Sequence, residues 1–346
     1  MGPNAPICEA LSELCYSKPN IKDFTLDEHD LENTCPLDIG RHNTNPQQPL
    51  GALEKLPLEL LSNALVQLDI LTLMGFRRVN QRAMQVIDSI PQFRTITCHD
   101  LSALRGIISI QAGGYITCQE LYDAMSASLC VECNDFAGFI YLLDCTRVCF
   151  NCFTEKDRYL PLTPAEASRS FGIDRVSLIS TSRQMTSVPG CYSSHEKQCN
   201  TRLLLVDEAS ARMAGGALHG SASAMEDFVA RSASEKLSKY QERFSDRADG
   251  QHGPRARRPA RLGSLANPRL AFAKRFMAVV RAPSASSPEA LSDWGFHCLG
   301  CRKHYHTLQM HWRRKFNVST FDDHIPECGS VVDGKHVALT AKPSSR

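Results

Sequence analysis

"SLCVECNDFAGFIYLLDCTRVCFNC", residues 128–152, holds five cysteines in twenty-five residues. Cys130 and Cys133 form one C-x-x-C pair and Cys149 and Cys152 a second, with fifteen residues between the pairs. Each such turn presents two thiolates to one cation at about 2.3 Å, and a hairpin between the turns closes a tetrahedron. The spacing therefore predicts a structural zinc site. The alternative, five buried free thiols, is open to any core, since cysteine buries readily. Cys145 could stand in for Cys149; the symmetry of the two turns favours Cys149. Four cysteine ligands leave no open position for water, so the site predicts scaffold rather than catalysis. Between the pairs, FAGFIYLL reads as a strand, with Phe136, Phe139 and Tyr141 expected to cover the metal on one side.

The rest of the chain is consistent with that reading. There are 15 cysteines in 346 residues, an odd number that argues against a fully paired disulfide framework. The start, MGPNAPICEALSEL, has neither a basic nor an apolar signal region, and Pro6 stands where a myristoylation signal wants a hydroxyl residue. No apolar run is long enough to cross a bilayer. Cytoplasm or nucleus is the expected compartment, where thiols stay reduced and paired cysteines bind metal. Net charge is only +2, so no global field draws the chain to nucleic acid or to a membrane.

A second metal constellation is expected near the C-terminus. Cys298 and Cys301 form a third C-x-x-C pair, followed by His324 and Cys328, and these four could make a Cys-Cys-His-Cys zinc site. Pro326 makes a turn at least as fitting as a helix between the last two. His304, His306 and His311 compete for the ligand role, or else share a polar face with Arg313, Arg314 and Lys315. Cys191, His195 and Cys199 lack a fourth ligand and predict no structural site. The basic run Arg255, Arg257, Arg258 and Arg261 lacks interleaved aromatics and reads as a solvated linker. No nucleophile elbow, phosphate loop, dinucleotide fingerprint or H-E-x-x-H occurs, so no enzyme is expected.

Outward from the cysteines, residues 1–50 read as a polar, disordered tail with one weak helix around 7–14. Residues 51–97 read as three short helices. Pro57 sits at the first turn of the first, with Leu58, Leu61, Leu65 and Leu68 in an apolar stripe beside Leu60. Asp69 and Asn80 cap the second and third. Residues 98–244 read as a mostly helical region carrying the four-cysteine site. In it Thr117 and Glu120 form a capping box, and Gly215, Gly216 and Gly220 interrupt an Ala-rich helical segment. Residues 245–270 read as a basic low-complexity linker, 271–335 as a strand plus the Cys-Cys-His-Cys module, and 336–346 as a disordered tail. The fold class expected is α+β: a three-helix unit, then a mostly helical domain with short strands and one or two structural zinc sites.

The three-helix unit resembles an F-box. Leu56-Pro57 opens it, Glu59-Leu60-Leu61 follows, then Leu65, Leu68-Asp69, "LMGFRRVN" at 73–80 and an apolar helix ending near Ile87. Met84 stands where many F-boxes carry Trp. The segments "RVCFNC", "PLTPAEASRSFGI" and "GFHCLGC" are similar to those of fungal F-box domain-containing proteins, and the resemblance spans most of residues 53–330. It implies a non-catalytic substrate-receptor adaptor of an SCF-type cullin-RING ubiquitin ligase. Leu56, Pro57, Leu60, Leu61, Leu65 and Leu68 would face a Skp adaptor, and the zinc-stabilised remainder would receive a protein substrate. The competing expectation is a zinc-containing nuclear protein that binds nucleic acid through the basic linker and the last module.

Overall fold

The computed structural model describes residues 11–17, 22–38, 46–194, 199–245, 268–303 and 310–337. The basic run at 255–261, together with His195, His304 and His306, lies outside the described residues. The helices, in chain order, are α1 (Glu28–Thr34), α2 (Leu58–Val66), α3 (Ile70–Arg77), α4 (Gln81–Ser89), α5 (Pro91–His99), α6 (Ser102–Ser109), α7 (Cys118–Ser126), α8 (Phe150–Glu155), α9 (Pro164–Phe171), α10 (Arg175–Thr181), α11 (Glu208–His219), α12 (Ala222–Ser245), α13 (Pro268–Phe276), α14 (Leu299–Lys303) and α15 (Val318–Cys328). The strands are β1 (Cys15–Tyr16), β2 (Phe139–Tyr141), β3 (Thr146–Val148), β4 (Gln184–Thr186), β5 (Leu204–Val206), β6 (Val279–Arg281), β7 (His297–Cys298), β8 (Val331–Val332) and β9 (Lys335–His336). The class is α+β, as expected.

The second and third of the short helices at 58–89 start where the sequence places their caps, while α2 follows Pro57 without a side-chain cap. The Asp69 carboxylate accepts from Thr72 N at 2.9 Å and the Asn80 side chain from Ala83 N at 2.8 Å. Each bond satisfies an amide that the first turn leaves without a partner. The capping box at α7 is also formed: Thr117 N donates to Glu120 Oε2 at 2.7 Å and Glu120 N to Thr117 Oγ1 at 3.1 Å.

The principal core does not change at residue 97. Leu61, Leu65, Ile70, Leu73, Val86 and Ile87 join one buried cluster with Phe93, Ile107, Leu121, Ile140, Phe153 and Val279. At its centre lies an antiparallel sheet of order β3-β2-β6. Phe139 faces Val148 on one side and Arg281 on the other. The chain thus returns after residue 268 to complete a sheet begun at residue 139, so 273–282 belong to this core rather than to a C-terminal module. Arg147 of β3 is buried and donates to the carbonyls of Ala137, Ala282 and Pro283 at 2.9–3.0 Å. A second, smaller cluster gathers α9, α10, β5, α11 and α12 around Leu162, Phe171, Leu178, Val206 and Met225.

Two expectations are corrected. Part of the segment read as a disordered tail is built into the fold. Leu26 and Leu31 are buried in the principal core, Leu26 N donates to Val279 O at 3.0 Å, and β1 pairs antiparallel with β7. Asp23 forms ion pairs with Arg281 and Arg313. Two apolar side chains and one aspartate anchor a stretch whose average composition is polar. The second correction concerns glycine. Helix α11 runs through Gly215 and Gly216 and ends only at Gly220, whose φ of 86° suits a residue without Cβ. Gly215 is where α11 meets its neighbours: a Cβ there would stand 2.5 Å from Met225 Sδ and 3.0 Å from Phe171.

Candidate metal centres

The first centre is built by two turns that the central hairpin brings together. Cys130 and Cys133 lie on a tight turn in which Asn134 N donates to Cys130 O at 2.9 Å and Cys130 N to Asp135 O at 2.7 Å. Val131 N donates to Arg147 O at 3.2 Å, tying the turn to β3. The strand then delivers Cys149 and Cys152, and Cys149 caps α8 by accepting from Cys152 N at 3.5 Å. The four sulfurs all lie within 4.8 Å of one another, and Cys133 Sγ stands 3.6 Å from Cys149 Sγ. Cys130, Cys149 and Cys152 are buried and Cys133 is at the rim. Hydrogen bonds from the Cys133 and Cys149 thiols hold the Cys130 pKa far below its ordinary value, and hydrogen bonds with Cys130 and Cys133 raise Cys149. Four thiols sharing protons in this way offer the donor set that a thiophilic cation takes, which is compatible with zinc.

Cys145 is not part of this set. It sits apart in the β2–β3 turn with a φ of 57°, its thiol 3.7 Å from Glu120 O, and burial pushes its pKa up. The aromatic cover also differs from expectation. Phe139 packs on Phe150 and Phe153 of α8, which carries Cys152, whereas Tyr141 points elsewhere, stacking edge-on with Tyr159 and donating to Asp207 at 3.0 Å. Phe136 packs against Gly295.

The second centre gathers Cys298 at the end of β7, Cys301 in α14, His324 in α15 and His336 in β9, again with all four ligand atoms within 4.8 Å. Cys301 Sγ lies 3.3 Å from both His324 Nε2 and His336 Nε2, and Cys298 Sγ lies 3.5 Å from His336 Nε2. The Gly329 carbonyl stands 2.8 Å from His336 Nδ1, and accepting its proton fixes the tautomer that turns Nε2 toward the thiols. Gly300 admits this ring: a Cβ there would lie 2.7 Å from it. The Cys298 pKa is lowered to about 4, first by a hydrogen bond with Cys301 and further by His324.

His336 thus occupies the fourth place that the spacing assigns to Cys328. Cys328 forms an overlapping set with Cys301 and His311. Pro326 does not break the segment; His324 and Cys328 lie on one helix. Arg313 and Lys315 are not on a polar face but buried, with Arg313 4.1 Å over the Phe150 ring and Lys315 Nζ donating to Trp294 O at 2.8 Å. Burial holds the Lys315 pKa down at about 7. Cys191 is exposed and Cys199 pairs in a bridge with Gly190.

The leucine stripe divides in two. Leu61 and Leu65 point into the principal core and Leu68 is half-buried, so these three do not form an outward surface. Successive helical residues lie about 100° apart, so Leu60 faces out where Leu61 faces in. Leu56, Pro57, Leu58 and Leu60 are exposed, as are Leu71 on α3 and Val79 in the turn before α4. Among the described residues no helix is long and apolar enough to cross a membrane. Comparison with protein-family models, with curated proteins and with solved structures finds no match to this chain.

Proposed function

We propose that this chain is a non-catalytic substrate receptor of an SCF-type cullin-RING ubiquitin ligase, with α2–α4 docking on a Skp-type adaptor and the remainder receiving a protein substrate. The observation that carries the reading is the apolar surface at the start of α2. Leu56, Pro57, Leu58 and Leu60 stand in solvent at the start of a helix whose buried side is filled by Leu61, Leu65 and Val66. A helix that binds by laying apolar side chains into a partner's groove leaves them exposed when alone. The Leu-Pro opening and the "LMGFRRVN" segment of the F-box resemblance fall on this same unit.

The metal centres have a scaffold role in this reading. The sets Cys130, Cys133, Cys149, Cys152 and Cys298, Cys301, His324, His336 each close four cysteine or histidine ligands, the arrangement that stabilises a fold. The deciding experiment is titration of a purified Skp-type adaptor into the zinc-loaded full-length chain by calorimetry. A saturable one-to-one complex is expected; no heat and no co-elution would overturn the proposal.

A further inference from the structure

Around Cys301 the fold gathers more donors than one zinc ion can use. Two sets share its sulfur: Cys298, Cys301, His324 and His336 in one, Cys301, His311 and Cys328 in the other, each with all ligand atoms within 4.8 Å. Cys301 Sγ is therefore near five other donors, delivered by β7, α15, β9 and the short turn His311–Arg313. A tetrahedral zinc takes four. The two remaining donors, His311 and Cys328, lie together rather than on opposite sides, in a set that already includes the most central thiol.

We propose that the C-terminal centre holds two zinc ions bridged by the Cys301 thiolate. One ion is closed by Cys298, His324 and His336. The other takes His311 and Cys328 and has one position left for a ligand from solvent. A thiolate sulfur keeps lone pairs enough to bind both ions. The charges lead to the same arrangement. Two ions carry +4 and the thiolates of Cys298, Cys301 and Cys328 carry −3, which leaves +1 with neutral histidines. The open position therefore suits a small anion, hydroxide or a carboxylate. Each set has one half-buried ligand, His336 in the closed one and Cys328 in the other, so solvent reaches the open ion along the Cys328 side.

The test uses the full-length chain loaded with zinc and freed of excess metal. X-ray absorption at the zinc edge is expected to show a zinc–zinc vector at about 3.5–4 Å, the separation of paired metal sites. Only the bridged pair can produce it, whether or not Cys130, Cys133, Cys149 and Cys152 are also filled. Native mass spectrometry of Cys133→Ser, which disables the first centre, is expected to find two ions per chain. Cys328→Ser and His311→Ala are each expected to lose the vector and one ion. Absence of the vector in the fully loaded wild-type chain, or a single ion in Cys133→Ser, overturns the proposal whatever the adaptor titration shows.

Discussion

Leu60 and Leu61 are adjacent in sequence, one exposed and one buried, which allows docking to be separated from folding. Leu56 is 44% exposed and Leu60 57% exposed, so the pair together leave about one leucine's surface in water. Burying a full leucine side chain contributes about 1.5–3 kcal/mol. If a partner covers both, Leu56→Ala with Leu60→Ala should weaken adaptor binding by roughly tenfold to a hundredfold, at about 1.4 kcal/mol per decade. The same pair should shift folding stability by no more than about 0.5 kcal/mol each, the usual range for surface positions. Leu61→Ala inverts the pattern. Leu61 is 5% exposed in the principal core, and truncating a buried leucine costs about 2–5 kcal/mol. It should lower the melting temperature while leaving the affinity of the molecules that remain folded close to wild type. Calorimetry of adaptor binding and a thermal melt on the same preparations check both arms. A folded Leu56→Ala, Leu60→Ala protein that binds the adaptor as the wild type does would refute the docking surface.

Four further outcomes follow from the geometry. Cys133→Ser should lower zinc content and destabilise the principal core, because metal binding is coupled to folding, whereas Cys145→Ser should leave zinc content unchanged; elemental analysis and a melt distinguish them. Lys274 and Glu166 form a buried ion pair at 2.5 Å, so Lys274→Met should cost about 3–5 kcal/mol at neutral pH, read by denaturant unfolding. Burial raises the Glu166 pKa, but hydrogen bonds from Lys274 and Thr163 outweigh it and bring the pKa below its ordinary value. Its stabilisation is therefore present above that ordinary value and lost as pH falls through the lowered one, a loss that Lys274→Met should flatten. Gly215→Ala should destabilise by about 1–3 kcal/mol, since the new methyl meets Met225 and Phe171, while Gly216→Ala, with nothing nearer than 3.8 Å, should stabilise by about 0.5–1 kcal/mol.

What was legible in the sequence was local. A C-x-x-C turn fixes two ligands by its own geometry, so Cys130, Cys133, Cys149 and Cys152 converge once a short hairpin joins them, and Asp69, Asn80 and Thr117 cap within three residues of themselves. His336 was not legible. It reaches the second cluster through the two-residue strands β8 and β9, and nothing in its immediate sequence marks it as a candidate ligand. The period of the leucine stripe gave the helix, but a period does not say which face meets the core when apolar residues stand on both. That depended on α4 and α7, which pack on α2 from elsewhere in the chain. Leu26 and Leu31 escaped for a related reason: two apolar residues in a polar segment carry no period, yet they are enough to dock one short helix against α6.

The two metal centres are not independent appendages. Arg314 Nη2 donates to Asp135 at 2.6 Å, in the turn of the first centre, and Arg314 Nη1 to Glu327 at 3.1 Å, the neighbour of Cys328. Phe136 bridges to Lys315 in an antiparallel pair, and the Lys315 side chain fills the space over Gly138 so closely that a Cβ there would meet it at 2.9 Å. The segment 313–316 therefore runs between the centres, with Arg313 held by Asp23 from the N-terminal segment and packed on Phe150 beside Cys149. A buried cation left without its partners is strongly destabilising, so movement of either centre away from this segment would carry that penalty. The centres, the N-terminal segment and the central sheet are thus joined by one set of contacts through residues 313–316. The exposed leucines at the start of α2 belong to none of these contacts, so the proposed docking can be perturbed without touching them.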